Sequence, residues 1–389
     1  MGEKLSSTEL AQLVRRVFSP TAADTGLALI VDVPDARLAD NDEWAERRRL
    51  AAGWYDGLRA AAGDLGFERV TLAWYRNVGG NNADLPADAW AHEAIGGLVP
   101  DDADTLAGSP TIAMADVLRD HSIIIAPTEL STTAPLKVAA RAGGFRAATM
   151  PGFLPGMIPA LRLDYQEISR RVELLKTWLD AAEEAHLLFE ADGAPCRLVL
   201  DLRHRQGHAS GGLFPANGVA GNLPSGEAYI VPYEGERPGD PSRSRGVLPV
   251  QIGDELVMFA VEDNRARVTS DGPEARREAA HLAAEPAYAN LAELGLGVLG
   301  DFGVAPCGSI LLDEKLGLHV AFGRSDHFGG IVGPKDFSGP EAVIHLDRVY
   351  IPATQPRVRV KEVRLLGPGL DRPVIVDDKF TGMDKFTGM

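Results

Sequence analysis

Apolar residues recur with two different textures along this chain. Over residues 6–18, Leu10, Leu13, Val14 and Val17 fall at helical spacing and predict an opening helix. Residues 27–33 form a short, mostly apolar run between Gly26 and Pro34, the pattern of a strand buried on both faces. A helix is predicted over 41–62, with Arg47, Arg48 and Arg49 on a solvated face, and strands over 70–75, 122–127 and 145–150. The last follows a helix over 136–142, which Gly143 and Gly144 stop and Ser131 or Thr132 would cap. Strands alternating with helices argue for a parallel sheet with crossover helices.

A long amphipathic helix is predicted over 167–190, its apolar face carrying Ile168, Val172, Leu175, Trp178, Leu179 and Ala182. Beyond it Gly and Pro become frequent, and short strands are predicted over 197–202, 227–232, 246–251 and 255–261. One helix interrupts them over 274–294, broken near Pro286. The fold class expected is therefore α/β: an N-terminal doubly wound parallel-sheet domain over 1–190, then an α+β domain over 191–375. A tail over 376–389 closes the chain, in which Asp378-Lys379-Phe380-Thr381-Gly382-Met383 recurs as Asp384 to Met389. No glycine-rich dinucleotide fingerprint follows the first strand, so the N-terminal domain is read without a nucleotide site.

Composition narrows the function. A net charge of −16 over 389 residues disfavours nucleic-acid and anionic-membrane partners, which call for Lys and Arg. The two cysteines, Cys196 and Cys307, are read as free thiols rather than a disulfide framework. The N-terminus lacks a basic-then-apolar signal pattern, and no apolar run is long enough to span a bilayer, so a cytoplasmic enzyme is expected.

Candidate chemistry gathers late in the chain. In the run Ala342-Val343-Ile344-His345-Leu346-Asp347, an extended backbone aims His345 and Asp347 to one side, which makes half of a divalent-metal site. His319 lies in an apolar strand pattern, Glu227 opens another, and Glu293 is embedded in an otherwise uncharged run. A carboxylate there is costly to bury unless it is paired or bound to metal.

Asn222-Leu223-Pro224-Ser225-Gly226-Glu227, the embedded Glu293, Leu318-His319-Val320-Ala321-Phe322-Gly323 and His345-Leu346-Asp347 stand in an order that resembles the aminopeptidase T family of metallopeptidases. Glu129-Leu130-Ser131 and Ala147 to Gly152 resemble that family too. The resemblance implies a C-terminal domain with a two-metal site, a homodimer, and Glu227, Glu293, His319, His345 and Asp347 as the ligands. It implies hydrolysis of an N-terminal amino acid or a related amide by a metal-activated hydroxide, with a small peptide or amide-containing molecule as substrate. Nitrogen and oxygen ligands without thiolate suit Zn, Co or Mn. The family's best-known members carry a tyrosine seven residues after the first histidine, where this chain has Asp326. Asp326 and His327, in a glycine-flanked loop, are therefore the candidates for catalytic acid/base work. A more distant resemblance, to 2,5-dihydroxypyridine 5,6-dioxygenase, implies a single Fe(II) and ring cleavage instead. A metal-binding protein without peptidase activity is the third reading.

Overall fold

The computed structural model describes residues 3–383, so the second copy of the terminal repeat, Asp384 to Met389, lies outside the described residues. The chain forms two compact units. One takes the chain up to Ser169, together with Ser210–Ser225 and Cys307–Leu312; the other takes Arg170–Ala209, Gly226–Pro306 and the chain from Asp313 on. The changeover lies at Ser169, whereas residue 190 lies inside a strand, Glu184–Ala191.

The first unit is built on a seven-stranded sheet whose order is Ala220–Asn222, Arg146–Thr149, Ile123–Ala126, Gly26–Val33, Arg69–Arg76, Asp88–Ala91, Ile112–Ala113. The first five are mutually parallel. The last two join antiparallel, so the sheet is mixed rather than wholly parallel. Every residue of Gly26–Val33 is buried, which is why that strand reads as a continuous apolar run instead of an alternating one. The opening helix, Ser7–Phe18, starts at a capping box in which the Ser6 side chain accepts from Glu9 N–H and the Glu9 carboxylate accepts from Ser6 N–H.

In the helix Asp42–Ala60 Arg49 is exposed as expected, but the solvated reading fails for Arg47 and Arg48. Arg47 and Arg48 are 1% and 2% exposed. Arg47 donates to the Phe153 carbonyl and pairs with Glu129; Arg48 donates to the Pro100 carbonyl and pairs with Asp40. Both read as surface in the sequence because Phe153, Glu129 and Pro100 are remote in the chain, although Asp40 is only eight residues from Arg48. At the helix Thr133–Gly143, Thr132 occupies the cap position, but its hydroxyl makes no capping bond.

In the second unit the helix predicted over 167–190 stops at Ala181, and the strand Glu184–Ala191 follows. Ala185, Leu187, Phe189 and Ala191 alternate into the interior, a period of two that helix-like apolar content had concealed. The helix predicted over 274–294 is corrected in the same way. It ends at Ala284, a tight turn Pro286–Ala289 follows, and Leu291–Gly297 is a strand. The described part of the predicted tail is not a free tail, since Lys379–Phe380 pairs with the strand Leu370–Val376.

An eight-stranded sheet and a five-stranded sheet make up this unit's β-structure among the described residues. The five-stranded sheet includes, in order, His345–Tyr350, Leu318–Gly323, Leu291–Gly297 and Glu227–Ile230, each antiparallel to the next.

Candidate metal centre

Strand register brings the candidate ligands to one face of that sheet. Glu293 pairs with Ala321, and Ala321 with Asp347. Tyr229 pairs with Gly295, and Gly295 with His319; Glu227 pairs with Gly297, and His345 with Gly323. Alternation then puts Glu227, Glu293, His319, His345 and Asp347 on the same side. Small residues stand between them. A Cβ at Gly295 would lie 1.9 Å from His319 Nε2, so only glycine lets the imidazole cross the neighbouring strand. A Cβ at Gly297 would lie 2.2 Å from the Lys315 carbonyl carbon, so glycine also lets that backbone approach.

The five side chains form two overlapping groups with ligand-type spacing: Glu227, Glu293 and His319, and Glu293, His345 and Asp347. Glu293 belongs to both. Its Oε1 is 3.2 Å from His319 Nε2 and its Oε2 is 3.2 Å from His345 Nε2. His319 Nε2 is 3.7 Å from Glu227 Oε2, and His345 Nε2 is 3.5 Å from Asp347 Oδ1. Donors bound about 2.0–2.2 Å from a common divalent ion are separated by roughly such distances, so the residues fit metal. His345 Nδ1 lies 2.7 Å from the Arg324 carbonyl, which leaves Nε2 as the ligating atom. His319 Nδ1 is buried without a hydrogen-bond partner.

The electrostatics match. Burial opposes charge on Glu293, yet hydrogen bonds from His319 and His345 hold its carboxyl well below the usual range. Burial likewise opposes charge on His319, but Glu293, Asp347 and Glu227 push the imidazole up to about 9. His345 is raised for the same reason by Asp347 and Glu293. Three carboxylates thus create a field that holds positive charge, as protons or as a cation that displaces them.

Two neighbours escaped the sequence reading. Lys315 is fully buried, with its ammonium 2.9 Å from Glu227 Oε1 and paired also to Glu314. The signal available was a charged Glu314-Lys315 pair between the apolar runs of 310–312 and 316–322. Tyr229, one strand residue beyond Ala228, stacks on His208 at 5.1 Å and packs against Phe328 at 4.7 Å, giving the face an aromatic wall.

The loop that carries Asp326 and His327 separates their roles. Asp326 holds Arg324 at 2.6 Å. The His327 ring stands edge-to-face on His345 at 5.3 Å, and burial with the neighbouring His345 and Arg324 lowers it to about 4. The loop is fixed from beneath by Glu234, which accepts from Ser325 Oγ, Asn290 Nδ2 and Ile331 N–H and pairs with Arg205.

No described helix is long and apolar enough to cross a membrane. No protein-family model matches the chain, and no curated protein does. Solved structures do resemble it. The 2,5-dihydroxypyridine dioxygenase of Pseudomonas putida superposes with a TM-score of 0.60 at 14% identity, over 97% of this chain and 98% of that one. AmpT of Thermus thermophilus superposes with a TM-score of 0.55 at 15% identity, over 96% of this chain and 98% of that one. At such identities the likeness is one of fold, and along nearly its whole length this chain has the fold those two proteins share.

Proposed function

We propose that this chain is a metal-dependent hydrolase that cleaves an N-terminal amino acid or a related amide from a small molecule. The observation that carries the reading is the Glu293 carboxylate, which offers one oxygen to each of two ligand groups and so suits a pair of divalent ions. AmpT, one of the structural relatives, bears the name of the aminopeptidase T family whose ligand order the chain follows. Divalent ions held there supply Lewis acidity and a water of lowered pKa. The residues of this chain do the rest. Glu227, Glu293, His319, His345 and Asp347 hold the ions, and the Arg324 carbonyl keeps His345 in the ligating tautomer. The His327 ring stands edge-to-face beside His345, where its imidazole would accept a proton and return it to a leaving amine. Tyr229 and Phe328 supply an apolar wall for a substrate side chain.

A mononuclear Fe(II) triad takes two histidines and one carboxylate at one ion, whereas each group here has one histidine and two carboxylates. Hydrolysis is therefore preferred to ring cleavage. The test is metal analysis of purified protein with a panel of aminoacyl arylamides and dipeptides, assayed without oxygen. His345→Ala is expected to lose turnover and bound metal together. Full activity in protein stripped by chelation and dialysis would end the proposal.

A further inference from the structure

We infer that the two halves of this centre hold divalent ions unequally, with Lys315 keeping the Glu227–Glu293–His319 half weak and exchangeable while the Glu293–His345–Asp347 half is tight. The inference rests on the metal-dependent reading above and adds an order of binding to it. Its first support is the ammonium of Lys315. That cation is fully buried and 2.9 Å from Glu227 Oε1. It neutralises much of the charge that Glu227 would offer, and it repels any second cation in a medium where burial leaves the repulsion poorly screened. Lys315 is not free to withdraw, because Glu314 holds it from another side and its backbone packs against Gly297. Glu293 and Asp347, by contrast, make their ion pairs with histidines.

A second observation is independent of charge. His345 has its Nδ1 on the Arg324 carbonyl, whereas the buried Nδ1 of His319 has no partner. A ligating histidine anchored through its second nitrogen holds metal about 10–100-fold more tightly than one that is not. Both differences act in the same direction.

Titration of metal-free protein with Co(II), followed by the absorption of the bound ion and by calorimetry, reads this directly. Two steps are expected, separated by at least about tenfold in affinity. Glu227→Gln should remove the weaker step and spare the tighter one, and Asp347→Asn should do the reverse. Lys315→Met should tighten the weaker step by about tenfold or more, since a like charge is gone. Should that variant fold poorly, with Glu227 and Glu314 left unpaired, the two carboxylate variants still decide the order. Two steps of equal affinity, loss of the tight step in Glu227→Gln, or a further weakening in a folded Lys315→Met would overturn the inference and leave the hydrolase reading in place. Failure to bind any divalent ion would overturn both.

Discussion

Gly295→Ala tests the architecture of the centre with one methyl group. The added Cβ would sit 1.9 Å from His319 Nε2, about 1.5 Å short of the 3.4 Å at which ordinary van der Waals contact begins. The backbone at Gly295 is that of a regular strand, so alanine brings no conformational penalty and would otherwise stabilise by about 0.4–1 kcal/mol through the unfolded chain. The clash reverses that sign: overpacking of this kind costs about 1–3 kcal/mol. The less costly relief is for the imidazole to turn away, which breaks its 3.2 Å approach to Glu293. A displacement of about 1 Å at a reacting centre costs on the order of 100-fold in rate, so a turnover loss of at least that size is expected. Urea unfolding should show a smaller effect, within about 2 kcal/mol. Metal titration, turnover and unfolding on the same preparation make the assay. If Gly295→Ala kept both metal affinity and turnover within threefold of the parent, His319 would not lie across that strand, and the ligand geometry argued from it would be wrong.

The shared role of Glu293 predicts that Glu293→Gln lowers occupancy in both halves, whereas Asp347→Asn affects one; elemental analysis after gel filtration separates the two patterns. His327→Gln should cut turnover at least about tenfold with metal content unchanged, while Asp326→Asn should act mainly through the position of Arg324, and kinetics on neutral and charged substrates read the difference. Arg146→Ala, in the first unit, leaves the buried Asp24 without its 2.7 Å partner and should cost about 3–5 kcal/mol at pH 7. Burial opposes charge on Asp24, but hydrogen bonds from Arg146 and Ser122 hold its folded pKa well below the ordinary value. The pair's contribution is therefore complete above about pH 4, the unfolded value, and fades as pH falls below it. Urea melts at pH 7 and pH 3 should show the deficit of the variant shrinking in acid; an equal deficit at both would contradict the argument.

The legible part of this protein was what nearby residues determine. His345 and Asp347 share a face because strands alternate, and the continuous apolar run at 27–33 is buried because both faces of that sheet are covered. The pieces that escaped depend on distant partners. The apolar pattern puts Glu293 at the end of a helix, since an apolar run after Pro286 fits helix and buried strand equally well until its neighbours on the sheet are known. Lys315 is 88 residues from Glu227, and Arg47 is 82 from Glu129. A short charged pair between apolar runs hints at the first, but no local pattern distinguishes the second from a solvated arginine.

Glu234 has a consequence for how a substrate would be received. Four donors, from Ser325, Asn290, Ile331 and Arg205, converge on its one carboxylate and hold the loop bearing His327. That loop gives up its conformational entropy when the chain folds, not when a ligand arrives. Binding against that loop would then cost little in ordering its backbone, and selection would fall on the shape a substrate already has.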